Sequence, residues 1–203
     1  MRASLIDTGC ANLPSVQSAL RRIGLQPGIA KSRADVLDAP VAILPGVGSF
    51  GAAAERLRAQ DLEGAIVERI AQDRPTLAIC VGLQLLAAAS EESPDVEGTG
   101  ILPAKVGRFP SAARVPHMGW NRVQGSWLEE GYAYFANSFR IGNEAEKDLE
   151  EEGWEIAWTN HGEPFVAALK RGNILACQFH PELSGRWGDA LLREWAAREA
   201  ASC

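Results

Sequence analysis

Residues 75–89 read PTLAICVGLQLLAAA, a largely apolar segment whose pattern changes at Cys80. Before Cys80 the run is short and continuous, as in a strand that is buried on both faces. From Gly82 onward the segment is rich in Leu and Ala, which favours a helix. We therefore expect Cys80 to lie at a sharp corner between a strand and a helix, where the small residues Ala78 and Gly82 leave room for the turn.

The same alternation of apolar runs and helical patterns extends through the first hundred residues. Strands that alternate with helices predict a parallel sheet covered on both faces. Beyond residue 100, short strand-like segments follow one another with turn signals between them. The predicted fold is α/β, an open and mostly parallel sheet flanked by helices, with added antiparallel strands in the second half, in a single domain over residues 1–203. The predicted strands are 4–6, 41–45, 75–80, 106–109, 121–123, 132–139, 154–159, 165–169 and 174–179, and the predicted helices are 12–23, from 52, 61–72, from 82 and 187–200.

The composition excludes several classes of protein. A chain of 203 residues, 46% of them hydrophobic and 23% charged, can bury a sizeable core. Its net charge of −6 argues against a surface that binds nucleic acid. Residues 75–90, one of the longest uncharged segments, are too few to span a membrane, and the N-terminal residues lack the apolar region of a signal peptide. Four cysteines do not make a disulfide framework here, so we expect a cytoplasmic protein in which a thiol stays free to react.

A nucleophilic cysteine is the leading hypothesis for the chemistry. Cys80 would lie beside a helix N-terminus, which favours the thiolate, the nucleophilic form. A cysteine nucleophile needs a base, and the chain has three histidines. His180 follows the last predicted strand, and Glu182 could orient its imidazole, whereas His117 has no acid so close in sequence and His161 lies in a predicted turn. The alternative is that Cys80 is a buried structural cysteine.

Two further motifs allow other kinds of site. Residues 46–51, GVGSFG, match the G-x-G-x-x-G pattern of dinucleotide-binding turns. However, the motif follows a later strand than the first, and Glu68, the acid at a suitable distance, falls inside a predicted helix. We favour a tight turn that brings the backbone close to some other ligand. Cys177 and His180 have a C-x-x-H spacing, but no second pair matches it, so we expect no metal site.

The segments around these residues resemble the class I glutamine amidotransferases. C-x-G-x-Q at residues 80–84 and H-P-E at residues 180–182 indicate this broad family. Within it, other segments are similar to the glutaminase subunits of imidazole glycerol phosphate synthase and not to the GMP, CTP, anthranilate or carbamoyl-phosphate branches. These segments, which extend the resemblance over nearly the whole chain, are IDTGCANLPSV at 6–16, LPGVGSFG at 44–51, SEE at 90–92, PHMGWN at 116–121, YFANSF at 134–139 and GEPF at 162–165.

The resemblance implies a catalytic triad. Cys80 would attack the side-chain amide of glutamine. His180 would protonate the departing ammonia and then activate water against the thioester, while Glu182 orients the imidazole and stabilises its charged form. Backbone N–H groups of Val47 and Val81 would bind the oxyanion, which gives the glycine-rich turn a role that does not involve a nucleotide.

The resemblance also implies the residues that bind glutamine, and it implies no cofactor. Gln84 and Glu92 match positions that hold the substrate. The backbone of Ser138 and Phe139 matches the segment that contacts its amino-acid end. Asn137 stands where many relatives have histidine, a mild change if that position supplies only backbone contacts.

A partner subunit is implied as well. Ammonia released into water is protonated and loses its nucleophilicity, and a chain of this length has no room for a synthase domain. We expect the chain to dock on a separate (β/α)₈ synthase subunit, which makes imidazole glycerol phosphate and AICAR from PRFAR in histidine biosynthesis, and to show little glutaminase activity alone. The implied docking face surrounds Asn12, residues 46–50 and Trp120. Leu183 stands where a basic residue is frequent, so a subunit contact through that charge is not expected.

Two competing functions stay open at this point. A cysteine hydrolase or isomerase of related α/β architecture would share Cys80 and His180, but it gives no reason for Gln84 or for residues 116–121. A non-catalytic nucleotide-binding module would use residues 46–51 instead.

Overall fold

A computed structural model describes residues 1–9 and 11–200 of the chain, with side chains up to residue 197. Cys10 and Cys203 lie outside the described residues. The strands are β1 (Arg2–Leu5), β2 (Gln26–Ile29), β3 (Val41–Leu44), β4 (Thr76–Ile79), β5 (Ala87–Ser90), β6 (Leu102–Arg108), β7 (His117–Val123), β8 (Gly131–Asn137), β9 (Phe139–Ile141), β10 (Glu155–Asn160), β11 (Pro164–Arg171) and β12 (Ile174–Cys177). The helices are α1 (Leu13–Arg22), α2 (Arg33–Leu37), α3 (Phe50–Ala59), α4 (Glu63–Ala71), α5 (Val81–Leu85), α6 (Glu146–Glu151) and α7 (Gly185–Ala200).

The centre of the molecule is a seven-stranded sheet with the order β10-β11-β12-β4-β3-β1-β2. The five strands from β12 to β2 are parallel to one another. Strands β11 and β10 extend the sheet in antiparallel pairing. Every residue of β3, β4 and β12 is buried, as expected for parallel strands whose two faces are both covered. The predicted α/β fold with a mostly parallel sheet and added antiparallel strands is confirmed.

Two smaller sheets from the middle of the chain complete the fold. One has the order β5-β6-β9, and the other pairs β7 with β8. The strand predicted over residues 132–139 is divided at Ser138, because β8 pairs with β7 while β9 pairs with β6. The break leaves the backbone of Ser138 between the two small sheets.

The helix predicted from Gly82 is shorter than its sequence suggests. It ends at Leu85, and Ala87–Ser90 form a strand that pairs with β6. Alanine has the highest helix propensity, but propensity is a weak preference that pairing with a neighbouring strand overrides. Other short elements, β2, α2 and α6, were not predicted, since each is stabilised by its neighbours more than by its own pattern.

The topology brings the ends of β3, β4 and β12 together. These strands are adjacent and parallel, so their carboxyl ends lie along one edge of the sheet, where ligands bind in open α/β folds. The segments that follow them contain Gly46, Cys80 and His180. Among the residues that the model describes, no helix is both long and apolar enough to cross a membrane.

Candidate active site

Cys80 occupies the sharp corner that its sequence context predicts. It follows β4 and precedes α5, with φ +54° and ψ −108°, a conformation that is rare for a residue with a side chain. Its backbone N–H donates to the Cys177 carbonyl at 2.7 Å, which ties the corner to β12. Gly82 is required because a Cβ atom there would overlap the carbonyl oxygen of Leu44. The corner is therefore held by its neighbours on both sides.

His180 and Glu182 form a buried pair just after β12. His180 Nδ1 lies 2.9 Å from Glu182 Oε1, and the two side chains are only 6% and 4% exposed. Burial lowers the pKa of His180, but hydrogen bonds to Cys80 and Glu182, together with their negative charges, outweigh it and raise the pKa to about 10. Because Nδ1 bonds to Glu182, the hydrogen bond between His180 and Cys80 uses the other ring nitrogen, Nε2. The structure thus brings the three predicted triad residues together.

A cavity of about 210 Å³ opens beside Cys80. It is lined by side chains and backbone from the ends of β3, β4, β5, β8 and β12. It contains all the predicted oxyanion and substrate-binding residues, with two members of the triad. The lining residues are Val47, Gly48, Cys80, Val81, Gln84, Glu92, Ala136, Asn137, Ser138, Phe139 and His180.

The two N–H groups predicted to bind an oxyanion are not both directed at the cavity. Val81 N–H donates to the carbonyl oxygen of Gly46 at 3.4 Å. That carbonyl and the N–H of Val47 belong to one planar trans peptide, so they point in opposite directions. The Val47 N–H is therefore turned away from Val81. The Gly46 carbonyl points instead to the position where the Val47 N–H was predicted to bind the oxyanion. A Cβ atom at Gly46 would lie 2.7 Å from Val81 Cβ, so the close approach requires glycine.

The glycine-rich motif leads into α3, but the first N–H groups of that helix are already bonded. Phe50 N–H donates to Glu92 Oε2 at 2.7 Å, and Gly51 N–H donates to Ser93 Oγ at 3.1 Å. The N-cap Ser49 accepts from Ala52 N–H at 3.4 Å. A phosphate at this helix end would have to displace these partners. This arrangement supports the interpretation of residues 46–51 as a tight turn and argues against nucleotide binding there.

A chain of buried amides lies on the other side of Cys80. Gln84 Nε2 donates to the Phe139 carbonyl at 3.1 Å and to Gln178 Oε1 at 3.0 Å. Gln178 Nε2 in turn donates to Cys80 Sγ at 3.6 Å. Asn137, which stands in place of a frequent histidine, donates to the same Phe139 carbonyl at 2.9 Å. Gln178 was not among the predicted site residues, although its place two residues before His180 on one strand face is the signal that could have found it.

Asn12 and Trp120 lie on either side of the His180 segment. Asn12 caps α1 by accepting from Ser15 N–H at 3.3 Å, and it lines a small cavity of about 10 Å³ with Glu182 and the turn at Gly46. Trp120 is 57% exposed on β7. Its ring packs edge-on against Tyr134, 6.1 Å between centroids. Each of these two predicted interface residues therefore lies near the His180–Glu182 segment, Asn12 through the small cavity and Trp120 through Tyr134.

His117, His161 and Cys177 are the other histidine and cysteine side chains that the structure describes, and each is packed against its neighbours. His117 stacks on His161 at 4.2 Å and is surrounded by phenylalanines; burial, with the nearby His161, lowers the pKa of His117 to about 4. Cys177 is fully buried, and burial together with the Glu182 charge raises the pKa of its thiol. Within the described part of the chain, no group of three or more His, Cys, Asp or Glu side chains could hold a metal ion.

Comparisons with known proteins agree with this geometry. Residues 4–197 match the family model described as "Glutamine amidotransferase class-I". The chain is 40% identical over 204 residues to imidazole glycerol phosphate synthase subunit HisH of Escherichia coli K12, covering 96% of this chain and 98% of that protein. It is also 40% identical over 202 residues to the chloroplastic imidazole glycerol phosphate synthase hisHF of Arabidopsis thaliana, covering 95% of this chain but only 33% of that longer protein.

A solved structure has the same fold. The chain superposes on a crystal structure of a glutamine amidotransferase with a TM-score of 0.75, covering 97% of this chain and 98% of that one at 19% identity. At that identity the likeness establishes the fold alone, whereas the family model and the E. coli relative establish the family. The chain belongs to the class-I glutamine amidotransferases and, within them, to the HisH family of imidazole glycerol phosphate synthase subunits.

Proposed function

We propose that this chain hydrolyses glutamine to glutamate and ammonia and delivers the ammonia to a synthase partner. The observation that carries the proposal is the position of Cys80, at a strained corner beside the buried His180–Glu182 pair and open to the cavity. A nucleophile, a base and a residue that orients the base are the parts that covalent hydrolysis needs. Gln84, Glu92, Ser138 and Phe139 are the proposed glutamine-binding residues.

In the first half of the reaction, the Cys80 thiolate attacks the side-chain amide carbon of glutamine. A carbon–sulfur bond forms, and the amide oxygen becomes an oxyanion. His180 is charged at neutral pH, since its pKa is raised to about 10, so it can give a proton to the amide nitrogen. The carbon–nitrogen bond then breaks, and ammonia leaves a γ-glutamyl thioester on Cys80.

In the second half, the neutral His180 accepts a proton from water as that water attacks the thioester. The carbon–sulfur bond breaks, glutamate leaves, and Cys80 returns to the thiolate beside a charged imidazole. Glu182 stabilises that charge and keeps Nδ1 bonded throughout, so that the other ring nitrogen carries every proton transfer.

The oxyanion needs donors that this conformation does not supply. While the Gly46 carbonyl accepts from Val81 N–H, it places a partial negative charge where the oxyanion would form. Rotation of the Gly46–Val47 peptide would release Val81 N–H and turn Val47 N–H toward the cavity. Each donor of this kind is worth roughly 3 kcal/mol of barrier, so we propose that docking of the partner favours the rotated peptide.

The proposed partner is the (β/α)₈ cyclase subunit that converts PRFAR to imidazole glycerol phosphate and AICAR in histidine biosynthesis. The Arabidopsis relative is named hisHF and is about three times as long as the region matched, which supports pairing with a second functional part. The turn at Gly46 borders the cavity through Val47 and Gly48, and the exposed Trp120 packs on Tyr134, whose carbonyl accepts from His180 N–H, so a partner that covers this face could also contact the turn. We also propose that residues 1–203 form one cytoplasmic domain that needs no cofactor.

Covalent labelling tests the proposed nucleophile. The purified chain, with and without its partner subunit, is incubated with an electrophilic glutamine analogue and digested for mass spectrometry, and Cys80→Ala is the control. An adduct on Cys80 is the expected result. An adduct only on another cysteine, or none in the presence of the partner, would overturn the proposal, and tight binding of NAD would favour the nucleotide-binding alternative.

A further inference from the structure

Gln178 is placed on the same side of its strand as the catalytic histidine. It follows β12, and its backbone N–H donates to the Ala167 carbonyl at 2.8 Å, which continues the pairing with β11. Because side chains alternate along an extended segment, Gln178 and His180 face one way and Cys177 and Phe179 face the other. The Gln178 side chain therefore points at the site, and the whole residue is 0% exposed.

Both ends of the Gln178 amide are bonded, and the bonds fix its orientation. Nε2 donates to Cys80 Sγ at 3.6 Å, and Oε1 accepts from Gln84 Nε2 at 3.0 Å. A flipped amide would place its NH₂ group against the NH₂ group of Gln84 and its oxygen against the sulfur. Gln84 cannot flip to compensate, because its NH₂ group also donates to the Phe139 carbonyl at 3.1 Å.

Burial of an amide costs free energy unless the amide is hydrogen-bonded. The two hydrogen bonds of Gln178 offset this cost, and one of them is to the sulfur. The Cys80 sulfur has two donors, His180 on one side and Gln178 on the other. A hydrogen bond strengthens when its acceptor becomes charged, so a donor at this point stabilises the thiolate over the thiol. His180 leaves the sulfur when it gives its proton to the departing ammonia, whereas Gln178 stays a donor throughout.

We propose that Gln178 is a further catalytic residue, a permanent hydrogen-bond donor to the Cys80 thiolate that also fixes the sulfur relative to Gln84. The proposal rests on the proposed function, because it assumes that Cys80 is the nucleophile. Through the two linked amides, the sulfur and one of the glutamine-binding side chains share a single rigid framework that ends at the Phe139 carbonyl. Substrate and nucleophile are thereby held in one geometry.

The test measures alkylation of Cys80 by iodoacetamide as a function of pH, using the full chain. Gln178→Met removes both hydrogen bonds at similar length, while Gln178→Glu keeps the acceptor toward Gln84 and removes the donor toward Cys80. The other titratable groups around the sulfur, His180, Glu182, Glu92 and Cys177, are unchanged in both variants. Thr159→Val is the matched control, since that buried hydroxyl on β10 has no partner among the described residues.

We expect the pH of half-maximal alkylation to rise by about one unit in Gln178→Met, the lower end of what a hydrogen bond to a charged group contributes. The rise should be larger in Gln178→Glu, whose carboxylate repels the thiolate, and absent in Thr159→Val. A purely structural role would lower the Tm without moving this midpoint.

The outcomes separate this proposal from the proposed function. If the wild-type chain is not labelled at Cys80 by the glutamine analogue even with its partner, the proposed function fails. If wild type is labelled and the alkylation midpoints of folded Gln178 variants equal that of wild type, only the role of Gln178 is overturned. The same holds if both variants fail to fold while Thr159→Val folds, because Gln178 would then be needed for the structure itself.

Discussion

His180 lies between two groups that favour its charged form. Glu182 bonds to one ring nitrogen at 2.9 Å, and Cys80 bonds to the other side of the ring. Burial acts in the opposite direction, because it penalises the imidazolium. The balance keeps a proton on His180 at neutral pH, and so the acid that the proposed mechanism needs to expel ammonia is in place before the substrate arrives.

The charged state of His180 should depend on the thiol of Cys80. In Cys80→Ala, burial still lowers the pKa of His180 and only Glu182 opposes it, so we expect the pKa to fall from about 10 by at least one unit. The imidazole would then lose its proton at a lower pH than in wild type. NMR titration of the His180 ring nitrogens measures this directly. An unchanged titration in Cys80→Ala would show that the two side chains do not interact.

The corner between β4 and α5 is the element on which the site depends. Cys80 adopts a positive φ, and the backbone of Leu44 lies so close to Gly82 that no side chain fits between them. The strain at Cys80 directs its side chain out of the sheet edge and into the cavity. Neighbouring strands β3 and β12 hold the corner through packing and through the bond from Cys80 N–H to the Cys177 carbonyl.

Substitution of Gly82 should therefore damage both stability and the site. We expect Gly82→Ala to lower the free energy of unfolding by about 3 kcal/mol or more, since the new methyl group must push β3 and the corner apart. Gly28→Ala is the matched control, because no atom lies within 4 Å of a Cβ atom there, and its effect should stay within about 0.5 kcal/mol. Urea unfolding measures both, and equal effects in the two variants would contradict the argument.

Glu92 links two elements as well as lining the cavity. Its Oε2 accepts from Phe50 N–H at the start of α3, and the rest of the carboxylate is available for the proposed contact with the ammonium group of glutamine. Glu92→Gln keeps an oxygen acceptor for Phe50 but removes the charge. We expect KM for glutamine to rise by about tenfold or more, with stability nearly unchanged. Glu92→Ala should lose stability too, by about 1 kcal/mol, because the Phe50 N–H is left without its partner.

Steady-state kinetics with the partner subunit present, together with urea unfolding, separates these two roles of Glu92. An unchanged KM in Glu92→Gln would show that its charge does not contact the substrate. A loss of stability in Glu92→Gln as large as in Glu92→Ala would show that the amide oxygen does not replace the carboxylate at α3.

The elements that sequence patterns predicted well are those with strong local signals. Helix α1 has an Asn cap, an apolar stripe and Gly24 with φ +86° after its end, and the buried parallel strands are short apolar runs. Strand β5 and helices α2 and α6 were not predicted, because their stability comes from contacts with distant segments. An Ala-rich sequence such as 87–90 has no pattern of its own that distinguishes a strand from a helix.

Sequence motifs predicted the residues of the candidate site but not the hydrogen bonds between them. Cys80 is about one hundred residues from His180 and Glu182 in sequence, and the adjacent parallel strands β4 and β12 bring them together, as the topology predicts. The bond from Val81 N–H to the Gly46 carbonyl depends on the orientation of one peptide plane, which sequence does not specify. Gln178 was missed because its place two residues before His180 shows only which way its side chain faces, and its two contacts are seen only in the structure.

Across the whole molecule, the predicted docking face and the catalytic machinery are contiguous. Asn12 shares a small cavity with Glu182 and with the turn at Gly46, and Trp120 packs on Tyr134, whose carbonyl accepts from His180 N–H at 2.9 Å. A partner that covers this face would contact the segments that carry the proposed triad and the proposed oxyanion turn. Coupling between docking and catalysis then needs no long pathway through the core.

Trp120 should be a major contributor to docking. A large aromatic side chain that is 57% exposed is typical of an interface hot spot, and its removal costs about 2 kcal/mol or more, or roughly 30-fold in Kd. We therefore expect Trp120→Ala to bind the synthase subunit at least that much more weakly while Cys80 keeps its reactivity toward iodoacetamide. Val67→Ala, on α4 and outside the docking face, should bind like wild type.

Glutamate release, measured while the synthase subunit is titrated into the chain, reports on activation. The free chain should be nearly inactive, because Val81 N–H is bonded to the Gly46 carbonyl. Saturating partner should raise kcat by at least about 10²–10³-fold, the worth of one of the two oxyanion donors that the rotated peptide would restore. Trp120→Ala should reach a similar kcat at a higher partner concentration, since it weakens docking and leaves the turn intact. Equal activity of the wild-type chain with and without partner would show that the turn does not limit catalysis, and an unchanged Kd in Trp120→Ala would place the interface elsewhere.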